Sequence, residues 1–186
     1  MKPHNLLVRI VLGLTLTAMA GPAFAADGPE RSWSRNAWTA EFEAGECRLR
    51  TGSDGKGDFV ISFQMGGFDG AADYLPIVYS NLPLPLRKDD TYEILIDGRA
   101  TEFGSEMWFY DGQDAFDRYM VGASLTGGFV PDLVDAFRQG DTVAFQVEPN
   151  GKAPYIADDF SLSGFSATYL KISEWCHFDP DNLFRS

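Results

Sequence analysis

Apolar and polar residues alternate along most of this chain, at the period of a strand that buries one face and exposes the other. AWTAEFE (residues 37–43) and DFVISFQM (58–65) are rich in aromatic and β-branched residues and alternate fairly well, and TGSDGKGD before the second run is a turn by composition. TYEILIDGRATEF predicts a hairpin. Tyr92, Ile94 and Ile96 alternate with polar or exposed positions, and Asp97-Gly98 can supply the two residues at positive φ that a tight type I′ turn requires. EMWFYDGQ predicts a further strand ending at another Asp-Gly. DTVAFQVE (141–148) sets Val143, Phe145 and Val147 on one face, and FSLSGF supplies a last strand with Ser161 and Ser163 on its rim.

Two segments change the period from strand to helix. In VPDLVDAFRQG, Pro131 suits a first helical turn and Asp132 the positive end of the helix dipole. Leu133, Val134 and Phe137 form the apolar stripe, and Gly140 stops it. In the second, Ser166 is the expected N-cap, Phe165 and Leu170 the expected hydrophobic staple, and Tyr169, Ile172 and Cys176 follow at helical spacing. The pattern therefore predicts a mainly β protein: a single β-sandwich or barrel-like domain with two short packed helices.

The start of the chain does not belong to that domain. Lys2 and Arg9 flank an apolar run, IVLGLTLTAMAG, followed by AFA with small residues at Ala23 and Ala25. This is the pattern of a secretory signal peptide, cleaved near Ala25/Ala26, and the run is too short for a membrane-spanning helix. The organisation expected is a signal peptide over 1–25, a flexible segment over 26–36, one β-rich domain over 37–178 and a C-terminal tail over 179–186, with no transmembrane segment in the mature chain. Its place would be the periplasm or the medium outside the cell.

Charge and cysteine content narrow the partners. The chain carries a formal charge of −12, and loss of Lys2 and Arg9 with the signal makes it more acidic still. Binding to phosphate backbones depends on cationic side chains that release counterions, so nucleic acid is excluded as a natural partner. The chain has two cysteines, Cys47 and Cys176. In an oxidising compartment an isolated pair most simply bonds to itself.

Searches for catalytic chemistry return little. GASLT and SLSGF each lack one glycine of the G-x-S-x-G elbow. The histidine outside the signal, His177, sits at an expected helix end, and one histidine with two oxidised cysteines cannot make the usual zinc sets. We therefore expect no catalytic residues and no cofactor. Acidic clusters give candidate calcium ligands at Asp111, Asp114 and Asp117, although none matches the EF-hand loop. GGFDGAADYLP (66–76) is an expected mobile loop, and Phe68, Asp69, Asp73 and Tyr74 on it are candidate interaction residues. EMWFYDG places Trp108 and Tyr110 on one face of a strand as a candidate aromatic surface.

The order of segments LPLPLRKDDTYEILIDG, DLVDAFRQGDTVAFQV and FSLSGFSATY resembles the invasion associated locus B family of alphaproteobacterial envelope proteins. The resemblance covers residues 82 to 175. TEFGSEMWFYDGQDAF has no cysteine where the family carries them, so the family's disulfide arrangement is not carried over. The resemblance implies a secreted, compact β-rich periplasmic or surface-associated protein, linked in the name-giving members to colonisation of host cells, without a defined catalytic site. The functional expectation is thus a non-enzymatic envelope protein that interacts with an unknown envelope or host protein. A small-ligand or glycan-binding module is the alternative, and a carboxylate-based hydrolase a more distant one.

Overall fold

The computed structural model describes residues 30–52, 57–67, 69–75, 87, 89–113 and 119–183. The strands are β1 (Arg31–Arg35), β2 (Trp38–Glu43), β3 (Glu46–Gly52), β4 (Asp58–Gln64), β5 (Gly70–Leu75), β6 (Thr91–Ile96), β7 (Arg99–Ala100), β8 (Met107–Gln113), β9 (Tyr119–Leu125), β10 (Thr142–Glu148) and β11 (Tyr155–Ser161). Helix α1 spans Val130–Gln139 and helix α2 spans Phe165–Cys176. All strand pairs are antiparallel and form two sheets, one in the order β1-β2-β3-β4-β5-β9-β8 and one in the order β11-β10-β6-β7. Neither sheet closes on itself, so the fold is sandwich-like and not a barrel.

Alternation decides what each sheet buries. Trp38 and Ala40, Cys47 and Leu49, Phe59, Ile61 and Phe63, and Ala72 and Tyr74 all face inward from β2 to β5. Ile94, Val143, Phe145 and Phe160 face them from the second sheet, as the DTVAFQVE alternation predicts. Helix α2 lies across β1, β2 and β3, and α1 sits against β5 and α2. Trp38 is the hub of this core: its ring meets Phe59, Phe137 and Phe165 edge-on at 6.3, 6.0 and 4.8 Å. Its Nε1 donates to the Ser161 carbonyl at 2.9 Å, so the one polar atom of the largest buried side chain is satisfied.

Several elements differ from the sequence-based expectation. Residues 26–36 are not wholly a flexible segment: Arg31–Arg35 form β1, paired with β2 from Arg31↔Phe42 to Arg35↔Trp38. The strand is exposed along its length, so no apolar stripe announces it. Residues 70–75 of the expected mobile loop are strand β5, and Tyr74 is 0% exposed, stacked on Phe145 at 4.0 Å. The last strand is Tyr155–Ser161 and ends where FSLSGF begins to turn. Ser166 does not cap α2. The chain enters the helix through Gly164 at φ 95°, where a Cβ would sit 2.0 Å from the Arg35 carbonyl oxygen. Only glycine fits both the left-handed backbone and that close approach. Leu170 is 51% exposed and staples nothing. The tail from 179 is partly docked: Leu183 is buried in the core, and the Tyr169 hydroxyl donates to the Pro180 carbonyl at 2.9 Å.

Cys47 and Cys176 form a disulfide with both residues fully buried, joining β3 to the end of α2 across 129 positions. In the chain-entropy description a closure of that length contributes up to about 5 kcal/mol. Replacing both cysteines by alanine is expected to lower unfolding free energy by about 2–5 kcal/mol in urea titrations. A loss below about 1 kcal/mol would mean that packing alone holds α2 on the sheet.

The predicted I′ turn is present, with Asp97 at φ 51° and Gly98 at 73°. The Asp97 carboxylate also accepts from the backbone N–H groups of Thr142 and Asp141, both at 2.9 Å, and these bonds hold its pKa below the ordinary value. A depressed carboxylate stabilises the fold above its unfolded pKa of about 3.9 and loses that contribution as pH falls through the lower folded value. The Tm gap between the wild type and Asp97→Asn should therefore be widest near neutral pH and close in acid. A gap that does not change with pH would rule this out.

Candidate functional site

Both helices and the second sheet lie on the inner side of the seven-stranded sheet, so its outer face is open among the described residues. Half of that face is a charged ladder. Arg48 bonds Glu43 at 3.2 Å and Glu46 at 2.5 Å, and Arg50 bonds Asp58 at 2.7 Å. Exposed pairs of this kind contribute little to stability, but they occupy the cations of the face with carboxylates of the same chain.

Toward β5, β9 and β8 the ladder gives way to a different surface. Asp73 pairs with Ser124, and Ser124 with Trp108, while Gly122 pairs with Tyr110. Burial of Ala72 and Tyr74 on the inner side of β5 forces Asp73 outward, and burial of Ala123 and Leu125 does the same for Gly122 and Ser124 on β9. Two residues singled out from separate sequence stretches, Asp73 and Trp108, thus stand on either side of one serine. Trp108 is 49% exposed, and its ring centre lies 5.4 Å from that of Tyr110 at an angle of 50°. A Cβ at Gly122 would meet Tyr110 Cζ at 2.4 Å, so the tyrosine ring lies flat over the glycine and smooths the sheet surface.

Electrostatics mark the same spot. Asp73 is half-buried, and that burial raises its carboxyl pKa, against the hydrogen bond from the Ser124 side chain and helped by the charge of Glu46. Burial also raises the Tyr110 phenol, with a further push from the Asp73 charge. The arrangement combines an exposed apolar ring, a phenol lying over Gly122 and an oriented carboxylate, with Ser124 buried between them. It is suited to holding a ligand that presents both an apolar face and hydrogen-bond donors.

The remaining candidates fall elsewhere. Asp69 is exposed and accepts from the Gly70 N–H at 2.8 Å, as a turn residue does. Tyr74, a candidate contact residue, is a core side chain whose hydroxyl donates to Asp158 and is unavailable to a partner. Phe68, Asp114 and Asp117 lie outside the described residues, and Asp111 is on β8. Among the described residues no three His, Cys, Asp or Glu side chains converge on one point. Cys176 is in the disulfide and His177 is the left-handed C-cap of α2, so the two do not make a thiolate and base. Ser163 accepts from the Asn36 side chain at 2.8 Å, and Ser161 Oγ accepts from the Ser163 N–H at 3.1 Å. Open depressions of about 630 and 310 Å³ lie at the ends of the smaller sheet, one around Asn150 and one around Arg99, away from Trp108. No helix among the described residues is long and apolar enough to cross a membrane. In comparisons with known proteins, no family model matches this chain and no curated protein matches it.

Substituting Gly122 tests the flat floor. Gly122→Ala should lift the Tyr110 ring while keeping the fold, because the clash is with the far end of a side chain and not with backbone. The lifted phenol is more hydrated, so its pKa should fall back toward the ordinary value of about 10 in an NMR titration of the ring. An unchanged titration would show that Tyr110 does not lie on Gly122.

Proposed function

We propose that this chain is a non-enzymatic protein of the bacterial envelope, exported by a cleaved signal peptide. It works by interaction, presenting the outer face of its larger sheet to an envelope or host-derived partner. The observation that carries this reading is Trp108, half-exposed on a sheet face that no described helix or strand covers, beside Tyr110 and a half-buried Asp73. Exposed aromatics grouped with polar groups, as Trp108 is with Tyr110 and Asp73, are the usual anchors of recognition surfaces. A buried disulfide is compatible with an oxidising compartment. The resemblance of its segment order to the invasion associated locus B proteins supports the same location, and it extends the reading to contact with a host.

The test is photo-crosslinking in the native envelope. A benzophenone side chain placed at Ser62, on the outer face of β4, should give an adduct that disappears in the Trp108→Ala background. The same probe at Gln139, on α1, should not give that adduct. Identical adducts from both positions, or none from Ser62, would overturn the reading.

A further inference from the structure

The same face also bears on the chemistry of what docks there. We infer that the strip formed by Trp108, Tyr110, Ser124 and Asp73 is a binding platform for an extended, uncharged, β-linked glycan, with a sugar ring stacked on Trp108 and hydroxyls donating to Asp73. This rests on the reading that the outer face is an interaction surface.

Four observations select this occupant. First, the floor is flat. Tyr110 lies over Gly122, and Ser124 is the small, buried residue between Trp108 and Asp73, so neither of these two β9 residues rises above the rings and carboxylate beside it. A shallow strip of this kind suits a ribbon-like chain that lies along it better than a compact molecule, which needs enclosure to bury most of its surface. Second, the spacing fits alternate units of an extended polymer. Trp108 and Asp73 are two strands apart, about 10 Å at the usual strand separation of about 4.8 Å.

Third, the polar chemistry fits hydroxyls. The Ser124 bond orients the Asp73 carboxylate, and a carboxylate has acceptor capacity well beyond one bond. Pyranose hydroxyls are donors, and the C–H face of an equatorially substituted ring is apolar enough to lie on an indole. Fourth, charge excludes the main competitors. The chain has a formal charge of −12, and Arg48 and Arg50 are bonded to carboxylates of their own sheet, which disfavours a polyanionic glycan. The ladder of charges next to the strip also interrupts the apolar area. A protein interface needs a charge-depleted centre of greater extent than two aromatic rings.

The experiment uses the purified chain carrying the disulfide, titrated by calorimetry and by backbone NMR with cellohexaose and chitohexaose, and with heparin as the polyanionic probe. Binding of at least one uncharged hexasaccharide is expected, with shifts concentrated on β5, β8 and β9. Trp108→Ala should weaken it by about tenfold or more, the usual size for loss of a central aromatic anchor. Asp73→Asn, which keeps the shape and removes the charge, should weaken it by a smaller factor. Trp33→Ala removes an exposed indole from β1, at the opposite edge of the sheet, and should leave it unchanged. Melting curves of each variant show whether any loss comes from unfolding. Heparin binding tighter than the hexasaccharides, or equal losses in Trp33→Ala and Trp108→Ala, would overturn the inference. If no hexasaccharide binds at millimolar concentration while the Ser62 adduct persists and depends on Trp108, the glycan inference fails and the interaction reading survives. If that adduct is missing as well, both fail.

Discussion

The contact between Tyr74 and Phe145 sets the relation between the two sheets and, through it, the surface on the other side. The rings are parallel within 6° and 4.0 Å apart, one from β5 and one from β10. A fully buried tyrosine needs a partner for its hydroxyl, because an unpaired one costs about 1–3 kcal/mol. Asp158 on β11 accepts that hydroxyl, and it also accepts the Gly57 N–H, which leads into β4. One carboxylate thus links both sheets. Burial and the bond to Asp158 together raise the Tyr74 phenol far above its ordinary range, so it stays protonated and donates to Asp158. The orientation of β5 follows. With Tyr74 and Ala72 turned inward, a slip of one residue would bring Asp73 into the core and expel the stacked ring. The outward position of Asp73 is therefore a consequence of how the sheets are held together.

Helix α2 applies a second constraint to the other end of the larger sheet. Phe165, Tyr169 and Ile172 cover the inner side of β1 to β3, and the helix is tied at both ends. At its start the left-handed Gly164 lets the chain pass close to the Arg35 carbonyl. At its end the disulfide joins Cys176 to Cys47, and the Cys176 carbonyl accepts the Gly66 N–H at 2.8 Å. The edge strand β1 is held by pairing on one side and this helix on one face. Its arginines at 31 and 35 are the kind of residue that discourages a further strand from adding to an open edge. With α2 and the second sheet both committed to the inner side, neither covers the outer face.

Much of this was legible in the residues. Strands with one buried and one wet face announce themselves by alternation, so β2, β4, β6, β8 and β10 could be read directly, as could the Asp97-Gly98 turn and the stripe of α1. Elements went unread where the local signal was weak or served another purpose. The turn joining β2 to β3 uses Ala44 at φ 50° before Gly45, and alanine is not a residue that signals positive φ. GAADYL looks like loop because its inward residues include an alanine and its glycine and aspartate favour turns, yet β5 is an interior strand and its strength comes from Tyr74 packing across the core. Ser166 had the right chemistry for a cap, but the approach of Arg35 to Gly164 settles where the helix begins. That approach joins residues distant in sequence, so no local pattern encodes it.

The candidate site was half-legible for the same reason. Trp108 and Tyr110 could be placed on one strand face, and Asp73 could be named as a contact residue, but on the assumption of a mobile loop. What joins them is β9, whose contribution is the smallness of Gly122 and Ser124. A glycine and a serine in VGASL carry no signal of recognition on their own. Their meaning comes from register: a larger residue at either position would separate Asp73 from Trp108 or tip Tyr110 off the sheet. A surface of this type is defined by what its centre lacks as much as by the groups at its rim. The antiparallel pairing of β5, β9 and β8 is therefore the level at which the candidate site becomes readable.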